Sequence, residues 1–294
     1  MMASRADESD VAAIESIMRL AVLLSAGLAP PAAWRHLARS GDPFLTAVAL
    51  AAEEGEDIAA VLRSRGGVWS DIAAMWGVAD AVGAPLADAL RTAAAALRDA
   101  SEVRAEVAVA LAEPIATARL LTWLPLLGLP LGAALGLNPL RILDEPLGVC
   151  ALVLGLGLVG ASRFWTLRLA RHAQPGDEIP GWDGELLAVA LSSGASIERA
   201  CSLVGSGRGG PAALSPGVGA ALDLSARAGA PAVELLRGEA WLARHRARTR
   251  GREGAARLST RLLVPLGVCT LPAFLLLAVV PAVLGVIRST VVAV

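Results

Sequence analysis

Residues 79–91, ADAVGAPLADALR, and residues 225–237, SARAGAPAVELLR, align without a gap. Each copy runs on through an arginine-bearing stretch into a charge-free apolar segment. These segments open on matching phrases, Thr117-Ala118-Arg119-Leu120-Leu121 and Ser259-Thr260-Arg261-Leu262-Leu263. Upstream, Leu24-Ser25-Ala26-Gly27 answers Leu191-Ser192-Ser193-Gly194. Self-similarity of this kind means one structural unit used twice, so any fold must accommodate two copies of a polar module followed by an apolar run.

The apolar runs are long enough to cross a bilayer. Leu120–Leu137 carries no charge over 18 residues, about 27 Å as a helix. Pro146–Ser162 is a second charge-free run, with Arg163, Phe164 and Trp165 as interface anchors just beyond it. Leu262–Ile287 is the third; its 26 residues exceed the hydrocarbon thickness, so tilt or a kink at Pro272 or Pro281 is expected. Arginines cluster before the first span, after the second and before the third. The excess of positive charge on one side places both polar modules in the cytoplasm, with the 138–145 loop and the C-terminus outside. Leu20–Ala29 follows Arg19 like a signal-peptide core, but its counterpart 186–194 lies mid-chain, so it reads as a bundle helix.

Between the spans the pattern is helical. Val11, Ile14, Ile17, Met18, Ala21 and Val22 recur at helical spacing. Turn signals at Gly27–Pro31, Ser40–Pro43, Gly66-Gly67 and Gly83–Pro85 separate alanine- and leucine-rich segments. No alternating run suggests a strand. The expected fold is an all-α integral membrane protein with two tandem cytoplasmic antiparallel helix bundles and three transmembrane helices. The divisions are 10–118 for the first bundle, 119–137 for the first span, 138–145 for the outside loop and 146–165 for the second span. A linker covers 166–183, the second bundle 184–261 and the third span 262–287. The second bundle is shorter by roughly one helical hairpin, and Gly205–Gly219 reads as a loop where the hairpin would be. In both copies a glycine then a proline, Gly83 and Pro85, Gly229 and Pro231, mark the turn into the last helix.

The chemistry available is limited. All 26 basic residues are arginine, so neither a P-loop lysine nor a lysine Schiff base exists here. Cys150, Cys201 and Cys269 show no paired spacing, and His36, His172 and His245 are scattered. No nucleophile–base pair is present, no cofactor is implied, and the chain reads as a non-enzyme. The acidic cluster Glu53-Glu54-Gly55-Glu56-Asp57 does not match a calcium loop and reads as a turn with acids at a helix N-terminus. Arg244, Arg248 and Arg252 lie on one helix face, continued by Arg257 and Arg261 toward the membrane. Such a row repels itself and calls for anionic partners, either lipid headgroups or an acidic protein surface. Gly128, Gly132 and Gly136 allow close helix packing in the first span. Net charge is −1, which gives no pull toward nucleic acid. The three apolar runs Leu120–Leu137, Pro146–Ser162 and Leu262–Ile287 hold no charged residue, which argues against an ion-coupled transporter.

The repeated phrase of helix, small-Gly-x-Pro, Leu-Arg, arginine-rich helix, Arg-Leu-Leu and apolar span resembles the type II secretion system F domain. Within that family the chain looks most like the TadB/TadC proteins of Flp (tight adherence) pili, whose end is similar to Leu271–Leu277. The resemblance implies a non-enzymatic platform protein in the bacterial cytoplasmic (inner) membrane that couples a hexameric ATPase to pilin extraction and assembly. It implies six-helix cytoplasmic bundles, oligomerisation, membrane lipids around the spans, and a possible second platform protein as partner. The competing reading from another class is a membrane signalling or transporter-associated subunit with cytoplasmic bundles.

Overall fold

A computed structural model describes residues 2–134, 146–173, 176, 178–207, 214–280 and 283. Among the described residues every regular element is helical. The order is α1 (Met2–Ser25), α2 (Pro30–Ala38), α3 (Pro43–Glu54), α4 (Ile58–Arg65), α5 (Val68–Val82), α6 (Leu86–Ala134) and α7 (Pro146–Ala173). The second copy supplies α8 (Trp182–Ser192), α9 (Ile197–Gly207), α10 (Pro216–Ala228) and α11 (Ala232–Pro265). Two π-helical turns, Leu266–Thr270 and Leu275–Val279, flank the short α12 (Leu271–Phe274).

Local chemistry sets these boundaries. Pro30 and Pro43 start α2 and α3, where the missing N–H costs nothing. The Asp42 carboxylate accepts the Phe44 N–H at 2.8 Å, and Asp57 accepts the Ala59 N–H at 2.9 Å. The acidic cluster is therefore the turn between α3 and α4: Gly55 takes the left-handed conformation at the end of α3, and Asp57 caps α4. The first repeat has six helices, α1 to α6. The second has four among its described residues, with α8, α9, α10 and α11 answering α1, α2, α5 and α6. The absent pair is α3–α4. The segment 205–219 is less of a loop than its glycines suggest. α9 continues to Gly207 and α10 begins at Pro216, a proline at the first helical position, leaving residues 208–213 outside the described ones.

The chain divides into two compact units, and each draws on both repeats. The first joins Met1–Val103 to Asp177–Arg248; the second joins Arg104–Gly176 to Thr249–Val294. In the first unit a single apolar core runs through both copies. Ile17, Trp34, Ile72, Met75 and Leu90 from the first repeat are continuous with Trp182, Leu186, Leu187 and Leu236 from the second. Helix α5 packs on α8 and α9. Trp34 and Trp76 meet with ring centroids 5.8 Å apart. In the hairpin corner, Arg65 sits 4.4 Å over the Phe44 ring, which packs edge-on against Trp69. Gly181 stands where α8 approaches α11. Its φ is +78°, and a Cβ there would lie 2.6 Å from the Ala240 Cα.

The second unit holds the apolar helices. Three helices contain a stretch long and apolar enough to cross a membrane, within Leu86–Leu127, Gly148–Arg171 and Ala232–Val279. Only 22%, 22% and 33% of those stretches are buried inside the protein, so their apolar side chains face outward, as in a bilayer. Val107, Leu111, Ala118, Ala170, Ala255, Leu258 and Leu262 form a separate core here. Around Pro272 the helix leaves α geometry, the kind of break at which helices bend. The helix around it relaxes into two π-helical turns, which absorb the lost backbone donor. Pro281 lies outside the described residues.

Candidate functional site: the paired long helices

The two turn motifs do the same work by slightly different means. Gly83 closes α5 at φ 68°, ψ 29°, and the Ala84 N–H reaches the Ala79 carbonyl at 2.8 Å. Gly229 closes α10 at φ 66°, ψ 17°, its N–H bonded to the Ser225 carbonyl at 2.9 Å. The Ser225 hydroxyl then donates to the Ala230 carbonyl at 2.7 Å. Only glycine takes this left-handed conformation without strain. Pro85 and Pro231 follow, and their carbonyls accept the N–H groups of Ala89 and Leu235 as the long helices begin.

From these turns α6 and α11 run in the same direction and pair through charge. In the first unit, Arg244 donates from Nη1 to Glu185 Oε1 at 2.9 Å, while its Nε lies 3.1 Å from Asp99 Oδ2. The Arg244 side chain is 16% exposed and that of Glu185 only 7%. A carboxylate this buried is tolerable only with a cation in place. Arg248 reaches Glu102 at 3.8 Å. In the second unit Arg252 meets Glu106 at 3.0 Å, and Gly251 lets α11 close on Val107: a Cβ there would sit 2.5 Å from the valine Cγ2. If the gap-free alignment of 79–91 with 225–237 is continued, Glu102 corresponds to Arg248 and Glu106 to Arg252. Equivalent positions of the duplicated helix thus face each other with opposite charge.

The anionic partners expected for the arginine row are, for Arg244, Arg248 and Arg252, carboxylates of this chain. Arg257 pairs with Glu253 one turn back at 3.4 Å. Arg261 is exposed, and no carboxylate pairs with it among the described residues. Gly128 and Gly132 fall in the last turns of α6, and Gly136 lies outside the described residues. Glu53 of the acidic cluster is bound by Arg35 at 2.6 Å. Among the described residues no group of three or more His, Cys, Asp or Glu side chains is placed to hold a metal. Cys201 is half-buried, and burial pushes its thiol above the usual range, away from the reactive thiolate. His245 is exposed and stacks on Trp241, ring centroids 5.4 Å apart.

Asp99, Glu102, Glu106 and Glu185 were not apparent as functional positions from composition or motif. The available signal was the duplication itself, since the gap-free alignment sets two of these acids against arginines. Within the second unit, the buried hydroxyls of Ser162 on α7 and Thr270 in the first π-helical turn lie 3.2 Å apart. Leu277 fills the space that Gly155 leaves open.

Residues 16–131, the first repeat with most of the first apolar stretch, match the family model described as type II secretion system (T2SS), protein F. Neither a curated protein nor a solved structure matches the chain.

Proposed function

Because the chain carries a type II secretion system protein F domain over residues 16–131, we propose that it is a non-enzymatic platform protein of a bacterial inner-membrane machine that secretes proteins or assembles pili. The observation that carries this reading is the joining of that domain to a second, shortened copy, each leading through one long helix into an apolar stretch. α6 is unbroken from Leu86 to Ala134. The same helix thus belongs to the bundle at its start and to the first apolar stretch at its end.

The finer reading is a TadB/TadC-like platform of a Flp (tight adherence) pilus that couples a hexameric cytoplasmic ATPase to pilin extraction and stacking. Arginine-rich flanks before Leu120 and Leu262 and after Ser162 support a cytoplasmic N-terminus and an outside C-terminus. The domain divisions at 118 and 261 follow the same logic. The turn glycines and prolines Gly83, Pro85, Gly229 and Pro231 set the exit angle of the two long helices, and Gly128, Gly132 and Gly136 pack the first span against another helix. The signalling alternative needs an outside domain, which the 138–145 loop is too short to form.

The test is cross-linking in intact cells, followed by detergent extraction and affinity capture of the full chain. Co-purification of a hexameric secretion ATPase together with a pilin is expected. Capture of neither, with the protein intact and membrane-bound, contradicts the platform reading.

A further inference from the structure

In the second unit the helices keep a register that fixes the depth of each arginine. α7 runs antiparallel to the third apolar stretch: Ser162 meets Thr270, and Gly155 faces Leu277. Seven residues back along α7 match seven forward on its neighbour. Eight in the other direction bring Ala170 and Leu262, which share one apolar cluster. On this register Arg171 is level with Arg261, and Arg168 lies one turn further in. Arg163 is level with Cys269, eight residues beyond Arg261 and so about 12 Å deeper along the helix.

Arg163 therefore lies alongside the apolar stretches of its neighbours rather than at their end. Around its level the outward side chains are apolar: Phe164 is 68% exposed, and Val268 and Leu271 are exposed with it. Arg163, Arg168 and Arg171 are all exposed, and among the described residues no carboxylate pairs with any of them. The α11 row differs, since Arg244, Arg248 and Arg252 are matched by Glu185, Asp99, Glu102 and Glu106. A lone guanidinium at hydrocarbon depth is costly unless it reaches an anion or pulls headgroups and water toward it. Its planar donors suit a phosphate held bidentately.

We propose that Arg163 binds the phosphate of an anionic phospholipid on the outward face of α7. The headgroup is drawn inward from the leaflet surface, and Trp165, 41% exposed, follows two residues along α7 toward that surface. The inference rests on the reading that the three apolar helices span the membrane. The occupant is a lipid because the exposed groups at the level of Arg163 are apolar side chains that acyl tails would cover.

The full chain is reconstituted in nanodiscs of phosphatidylglycerol and phosphatidylcholine in equal parts, and the lipids that stay bound are identified by native mass spectrometry. The wild type should retain phosphatidylglycerol selectively. Arg163→Gln should reduce that selectivity about fivefold, Arg163→Lys should keep part of it, and Arg252→Gln should leave it unchanged. Circular dichroism checks that each variant is folded. Unchanged selectivity in a folded Arg163→Gln variant, or a wild type that holds the two lipids equally, overturns the proposal. The second result would point instead to a protein partner for these arginines. Alkaline carbonate extraction tests the underlying reading separately. Release of the chain from membranes would refute the spans themselves, whereas retention without lipid selectivity would refute only the site.

Discussion

The long helix of the first repeat carries Asp99, Glu102 and Glu106, whereas its counterpart in the second repeat carries Arg244, Arg248 and Arg252. Both helices start at the same kind of glycine–proline turn and head toward an apolar stretch. Two identical copies packed in parallel would set like charges against each other at every equivalent position. At two of those positions, Glu102 with Arg248 and Glu106 with Arg252, opposite charges turn a repelling pair into a matched one, and they favour pairing of α6 with α11 over pairing of α11 with a second α11. The repeats differ in a second way, since the first keeps the α3–α4 hairpin and the second does not. The duplication thus preserved the long helix and its turn while it altered charge and trimmed the bundle.

The comparison can be broken most severely at Arg244. Arg244→Ala leaves the Glu185 carboxylate buried without its cation, and a loss of about 3–5 kcal/mol is expected. Chemical denaturation of the detergent-solubilised chain, followed by helical circular dichroism, measures it. A loss below 1 kcal/mol would show that water reaches Glu185, by the ordinary scale of exposed ion pairs.

The hairpin found only in the first repeat gives the next effect. Leu62 in α4 is fully buried, and Leu62→Ala should cost about 2–5 kcal/mol in the same assay. A near-neutral result would mean that the hairpin packs loosely and that the four-helix form of the second repeat is already sufficient.

The twin turns should respond alike. Gly83→Ala and Gly229→Ala each put a side chain at positive φ with open space around it, so the cost is backbone strain of about 1 kcal/mol. Thermal melts of the two variants should shift by similar amounts. A large shift in one alone would separate the roles of the turns.

The smallest effect sharpens the comparison most. Arg252 and Glu106 are partly exposed, and each single reversal, Arg252→Glu or Glu106→Arg, should cost about 0.2–1 kcal/mol. The exchanged pair should recover most of that loss. A double-mutant cycle with no coupling would show that the two side chains do not interact.

Much of this was legible in the sequence because it depends on local physics. A glycine at positive φ followed by proline announces a helix end and a helix start, and charge-free runs of bilayer length announce outward-facing apolar helices. The absence of the α3–α4 hairpin was legible from the spacing of matching glycines. The extent of the loop at 205–219 was overread because Pro216 is compatible with a first helical turn as well as with a loop. The π-helical turns around Pro272 are the form the break takes, and α7 packs alongside both of them. What no local pattern could carry was the partner of each arginine. Arg244 finds Glu185 across 59 positions of the chain, and Arg252 finds Glu106 across 146. The shared core of the first unit was hidden for the same reason: Trp34 and Trp182 belong to different repeats and join one core only through the tertiary fold.

The central claim, that paired copies of one helical unit form a secretion or pilus platform, is tested most directly by complementation in the host bacterium. Deletion of the gene should abolish surface pili or the secreted protein, scored by electron microscopy and by analysis of the culture medium. Wild type should restore them, Glu106→Arg or Arg252→Glu alone should restore them less well, and the exchanged pair should restore them fully. Normal pili and normal secretion in the deletion strain would contradict the account.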